Sequence, residues 1–133
     1  MTQPKILTVI LNYRTPELTI QAAQAAVREM RDLGGEVVIV DNASGDGSFD
    51  TIRDKADSEG WTQEGFLRVV QSPENGGFGA GNNFGMRLGM SSGAVPDFFY
   101  ILNSDAWPDP GAVEKLLDVM KAEPRAGQVG SYI

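Results

Sequence analysis

The sequence has no cysteine and no histidine in its 133 residues. Without thiols there is no disulfide framework and no thiolate chemistry. Without imidazole, the commonest general base and the usual zinc site are both missing. Positive charge is also scarce: 11 Lys and Arg stand against 18 Asp and Glu, a formal charge of −7. Such a chain has no generic phosphate-attracting surface and no basic amphipathic face, which excludes non-specific nucleic-acid binding and attachment to an anionic membrane surface. Long apolar runs are absent as well. None approaches the roughly 20 residues of a membrane span, and Met1 to Lys5 has no signal-peptide pattern. The expected location is therefore cytoplasmic, without direct membrane insertion. Contact with the inner face of a membrane would have to come through a further segment or a partner. Any catalysis must rest on carboxylates, an oxygen-ligated metal or positioned amides.

What the chain does have is an ordinary globular composition, 41% apolar and 22% charged, and a length suited to one domain with a real core. Seven of its 16 glycines lie between Gly76 and Gly93. Ile6 to Leu11 (ILTVIL), Glu36 to Val40 (EVVIV), Phe66 to Gln71 (FLRVVQ) and Phe98 to Leu102 (FFYIL) are short apolar or β-branched runs that read as buried strands. Gln128 to Ile133 reads as a fifth. Between them lie helical patterns. Thr15-Pro16-Glu17 opens a helix with Ile20, Ala23, Val27 and Met30 near one face, ended by Gly34-Gly35. A second runs from about Phe49 to Glu59 behind Asp46-Gly47-Ser48. A third is expected over Asn82 to Met90 with Phe84 and Leu88 on one face. A fourth is capped by Asp109-Pro110 and carries Val113, Leu116, Leu117 and Met120. The alternation implies a three-layer α/β/α fold: a mostly parallel, Rossmann-like sheet with helices on both faces and right-handed crossovers.

In such sheets ligands bind outside the carboxyl ends of the strands, and the unusual polar residues fall there. Asn12-Tyr13-Arg14, Asp41-Asn42-Ala43-Ser44, Ser72 to Asn83 (SPENGGFGAGNN) and Asn103-Ser104-Asp105 follow the four strands in turn. Asp41 ends a five-residue apolar strand, so its carboxylate needs donors. A nucleobase N–H or ribose hydroxyl would serve, and so would an Asx-turn on its own backbone. Asn12 and Tyr13 offer an amide and an aromatic face to a base. Asn75 to Asn83 lets backbone approach a ligand closely, or caps a helix at Asn82 or Asn83. No window fits the GxGxxG or GxxxxGK[ST] spacing. Asp105 emerges from a hydrophobic strand and suits Mg2+ or Mn2+ if diphosphate completes the coordination, or else caps a turn before Pro108.

At these residues the sequence resembles the inverting glycosyltransferase family 2, and within it the rhamnosyltransferase-like bacterial branch. The matching blocks are VILNYRTPE (Val9 to Glu17), VIVDNASGDGS (Val38 to Ser48), ENGGFGAGNNFG (Glu74 to Gly85) and YILNSDA (Tyr100 to Ala106), in family order. The resemblance implies a GT-A fold, a dTDP- or UDP-linked hexose donor, a divalent Mg2+ or Mn2+, and a saccharide or lipid-linked acceptor in polysaccharide biosynthesis. By position it places Asn12 and Tyr13 at the base pocket and Asp41 on the base or ribose. Asn75, Asn82 and Asn83 fall in the loop beside nucleotide and sugar, and Asn103 and Asp105 in the Asp-x-Asp site, with Asp105 the metal ligand. Asn103 replaces the first Asp of that motif, which removes one negative charge. Residues 1–133 are then expected to form the donor-binding domain, ending before the acceptor half and inactive alone, with the catalytic base beyond Ile133. A sheet edge left exposed in this way would favour a homo-oligomer. Two other readings are a non-catalytic nucleotide-sugar-binding module and a sugar-phosphate nucleotidyltransferase. The latter predicts a Gly-rich basic loop after strand one, where this chain has Asn12 to Pro16.

Overall fold

Alternate side chains of the first strand enter two different cores, and that fixes the layers of the molecule. The computed structural model describes residues 3–130. Its elements are β1 (Ile6–Asn12), α1 (Pro16–Leu33), β2 (Glu36–Asp41), α2 (Ser48–Ser58), β3 (Leu67–Gln71), α3 (Phe78–Leu88), β4 (Phe98–Asn103) and α4 (Ala112–Ala122). Ile6 and Ile10 of β1 join Val37 and Ile39 of β2 in a core with α1, α2 and α4. Leu7 and Val9 join Val38 and Val40 in a smaller core under α3. Strands buried on both faces read as continuous apolar runs for this reason.

All pairings are parallel and the strand order is β3-β2-β1-β4. The chain steps outward from β1 to β3, then returns across the sheet to place β4 on the other side of β1. Right-handed crossovers in opposite directions put their helices on opposite faces. Hence α1 and α2 share one face and α3 takes the other. Strand order reverses at β1, so the loops after β1 and β4 flank the crevice where such sheets bind ligands. The α/β class expected from the sequence is the one observed.

Three boundaries differ from expectation. Helix α3 begins at Phe78 and not at Asn82, so half of the Gly-rich segment is helical and neither Asn82 nor Asn83 is its cap. Asp109-Pro110 does not end at the helix it was expected to cap: α4 starts at Ala112 behind Gly111, whose φ is 82°. The carboxylate at that helix end belongs to Glu29 of α1, which accepts from Gly111 N and Val113 N. Lastly, Gln128–Gly130 form no strand, and the remainder of the expected fifth strand, 131–133, lies outside the described residues. No described helix is long and apolar enough to cross a membrane.

Candidate functional site

Parallel strands bring four loops to one edge, and a cleft of about 500 Å³ opens among them. Tyr13, Thr15 and Leu18 line it from the β1–α1 side, Asn103, Ser104 and Asp105 from the end of β4. Asn42 from the β2 loop and Asn75 with Phe78 from the β3–α3 segment complete it. It therefore sits at the switch point, bounded mainly by the β1 and β4 loops.

A buried hydrogen-bond hub lies beneath it. Asp41 is 0% exposed, and each of its oxygens is engaged. Oδ1 accepts from Asn12 Nδ2 at 2.9 Å and Ser44 Oγ at 2.5 Å. Oδ2 accepts from Gln71 Nε2 at 3.2 Å and Ser44 N at 3.3 Å. Asn12 is as deeply buried, and its Oδ1 accepts from Thr19 Oγ1, Thr15 N and Thr15 Oγ1. Thr15 occupies the capping position of α1, but its side chain makes no cap bond; its N–H and hydroxyl turn back to the Asn12 amide oxygen instead. Asn12 and Asp41, expected from the sequence to contact a base or ribose, have protein partners here and lie beneath the residues that line the cleft. A buried carboxylate needs such donors, since leaving one unpaired is costly.

The hub holds strained backbone. Arg14 (φ 60°) and Ala43 (φ 57°) both occupy the left-handed region, which costs a non-glycine residue on the order of 1 kcal/mol or more. Ser44 stitches the two loops: its Oγ accepts from Arg14 N at 3.0 Å and its carbonyl from Arg14 Nε at 3.0 Å. The guanidinium then lies 5.1 Å from the centre of the Tyr13 ring, stacking on an aromatic that also faces the cleft. Nearby, bonds from the Ser48 hydroxyl and amide hold the Asp46 carboxyl below its ordinary range.

The Gly-rich segment is tied to the β2 loop by Asn42, whose Nδ2 donates to Asn75 Oδ1 at 2.9 Å and to Gly77 O at 3.3 Å. Asn75 Oδ1 also accepts from Gly77 N, so one amide sets the start of α3. Asn42 Oδ1 is buried with no partner among the described residues, although its residue faces the cleft. Phe78, 57% exposed, stands at the rim. Of the expected site residues, Tyr13, Asn75, Asn103 and Asp105 line the cleft, while Asn82 and Asn83 lie on α3 outside it. Asn82 is turned into its own helix, Nδ2 donating to Phe78 O at 3.0 Å. Asn42, Thr15, Ser104 and Phe78 were not singled out as ligand contacts from the sequence. Their common signal is adjacency to a strand end or a helix start.

Asp105 is exposed, and it is the one charged side chain in the described lining. Its carboxylate, the Asn103 carbonyl and the Ser104 hydroxyl are hard oxygen donors, which fits Mg2+ or Mn2+. No group of three or more His, Cys, Asp or Glu side chains is gathered among the described residues. A cation here would thus need oxygens from its ligand.

Comparison with curated proteins finds no match. Solved structures give clear fold matches. A mannosyltransferase from Pyrobaculum calidifontis, in complex with GDP-Man and Mn2+, superposes with a TM-score of 0.73 at 22% identity, over 98% of this chain and 35% of its own. S. aureus TarS 1-349 in complex with UDP-GlcNAc gives 0.68 at 16% identity, over 96% of this chain and 37% of its own. The same protein in complex with UDP gives 0.69. The chain thus spans little more than a third of these structures and has the fold of GT-A glycosyltransferases. The model of the family described as Glycosyl transferase family 2 matches residues 6–133, and the chain belongs to that family.

Proposed function

We propose that this chain is the donor-binding unit of an inverting glycosyltransferase of the rhamnosyltransferase-like kind, taking a dTDP- or UDP-linked hexose with Mg2+ or Mn2+. The observation that carries the reading is the single exposed carboxylate of Asp105 at the switch-point cleft, in a lining otherwise uncharged. Relatives in fold support it, since their structures hold GDP-Man with Mn2+ and UDP-GlcNAc.

In this reading Tyr13 and Asn42 meet the base and ribose, and Asn12 with Asp41 holds the loop that presents them. Asn75 and Phe78 flank the sugar side. Asp105, with Asn103 beside it, would hold the cation. When bound there, the cation supplies charge neutralisation to the diphosphate leaving group. The transfer forms a bond from the acceptor oxygen to the anomeric carbon as the bond to the diphosphate oxygen breaks. The acceptor, a saccharide or lipid-linked hydroxyl, gives its proton to a base. The described cleft offers no second carboxylate for that task, so the base is assigned to the acceptor side.

Calorimetric titration of UDP, dTDP and GDP with and without Mn2+ tests the reading. Wild-type chain should bind UDP or dTDP more tightly with Mn2+. Asp105→Ala should remove that gain, weakening binding by roughly tenfold or more, and leave uridine binding in place. An unchanged Mn2+ effect in Asp105→Ala would sink the metal assignment, and no binding of any nucleotide would sink the function.

A further inference from the structure

The segment between β4 and α4 is strapped along α1. At one end Ser104 Oγ lies 3.4 Å from Thr15 Oγ1, at the start of the helix. Further along, Pro108 O accepts from Arg28 Nη2 at 2.7 Å. At the far end the Glu29 carboxylate accepts from Gly111 N at 3.3 Å and Val113 N at 3.2 Å. Between these tethers Trp107 to Pro110 face Gln21, Gln24 and Arg28 on the helix.

The strap is short. From Thr15 to Glu29 the helix rises roughly 21 Å. The strap from Ser104 to Gly111, fully extended, reaches about 24 Å. Pro108 and Pro110 fix their own φ and push the residues before them to extended conformations. A short turn, Ala106 N to Asn103 O at 3.1 Å, sets Asp105 at the head of this strap. Only five residues, two of them prolines, separate Asp105 from Gly111 at the far anchor.

The anchor is itself unusual. Glu29 is 3% exposed, and a buried carboxylate is retained only where it is well partnered. Its partners are the first amides of α4, at the positive end of the helix dipole, and Arg28 Nε at 3.3 Å. Arg28 thus bridges the buried carboxylate and the Pro108 carbonyl with one guanidinium. Neither residue lines the cleft.

Resting on the donor-site reading above, we infer that Arg28 and Glu29 are positioning residues for Asp105: they hold the strap whose head presents the metal-binding carboxylate, at a distance from the site itself. Thr15 is the near tether and Arg28–Glu29 the far one.

The test separates this from general stability. Arg28 is half-exposed, so Arg28→Ala should fold. It should weaken Mn2+-dependent UDP binding by about tenfold, the scale of one charge-assisted hydrogen bond, with uridine binding within about twofold of wild type. Arg28→Lys, which can still donate to Pro108 O, should restore most of the loss. In nucleotide-free protein, 15N relaxation should show Ser104 to Trp107 loosened in Arg28→Ala, with Tyr13 and Asn75 unchanged. Wild-type UDP affinity in Arg28→Ala, or an equal loss of uridine binding, would overturn the inference, as would an unaltered Ser104–Trp107 segment. Failure of the wild-type chain to bind UDP with Mn2+ would instead overturn the donor-site reading, while the relaxation data would still decide whether the strap is held as described.

Discussion

At the scale of single residues, Asp41 organises the site from below. Both carboxylate oxygens accept, and neither side can be exchanged for an amide without loss. If Asp41→Asn turned its NH2 toward the Oδ1 position it would face the Asn12 amide, which cannot flip because its own oxygen accepts from Thr15 and Thr19. Turned the other way, it would face the backbone N–H of Ser44. One buried donor is stranded in either case. Asp41→Asn should cost about 2–3 kcal/mol, read by urea unfolding, and Ser44→Ala less. A change under about 0.5 kcal/mol would show that the hub does not carry the loops. The need of Asp41 for donors was legible in the sequence, because a carboxylate at the end of an apolar strand must be satisfied. Which donors satisfy it was not. Asn12 and Gln71 reach it only once three strands are in register, whereas Ser44, three residues on, answers it locally; both a ligand and an Asx-turn were open until then.

Among the elements, α3 shows why the glycine-rich stretch misled. Gly79, Gly81 and Gly85 lower helix propensity, and the sequence pattern pointed to a helix only from Asn82. Packing decides otherwise. A Cβ on Gly85 would meet Val9 Cγ1 at 2.7 Å and Val40 Cγ2 at 2.9 Å, and one on Gly81 would collide with Leu11. These glycines let α3 lie close on the sheet, a tertiary gain that no local count reveals. Two substitutions in this one helix should therefore differ in sign. Gly85→Ala gains about 1 kcal/mol of propensity but overpacks two sheet valines, a penalty of roughly 1–3 kcal/mol, and should lower Tm. Gly79 has ordinary φ and open space around its Cβ position, so Gly79→Ala should stabilise by about 0.5–1 kcal/mol and raise Tm by a few degrees. Thermal melts of the pair decide it; a stabilising Gly85→Ala would mean that α3 does not pack as described. The start of α4 is the same lesson at long range. Its acceptor, Glu29, lies more than 80 residues back in the chain, out of reach of any reading by spacing.

For the whole molecule, the sign of the charge frames how a donor could bind. Four polar loops on one edge followed from alternation alone, since parallel strands all end on the same side. The strand order, and with it the cleft between the β1 and β4 loops, needed the fold. The chain carries −7, and the described lining contains no Lys or Arg. A diphosphate therefore approaches a surface of its own sign, and a divalent cation relieves that conflict locally. Screening length falls from about 30 Å at 0.01 M salt to about 8 Å at 0.15 M, so added salt should shield long-range repulsion more than short-range contacts. Metal-free UDP binding should strengthen, by about two- to threefold, across that range, whereas uridine binding should stay flat. The rival influence is Arg14, held over Tyr13 by Ser44, whose Nη nitrogens, without a partner among the described residues, could attract phosphate directly. If Arg14 governed, metal-free UDP affinity would fall with salt and Arg14→Ala would abolish the trend. Titrations of UDP and uridine at the two ionic strengths, in wild type and Arg14→Ala, separate the two cases: rising affinity assigns control to the acidic chain as a whole, and falling affinity assigns it to that one side chain.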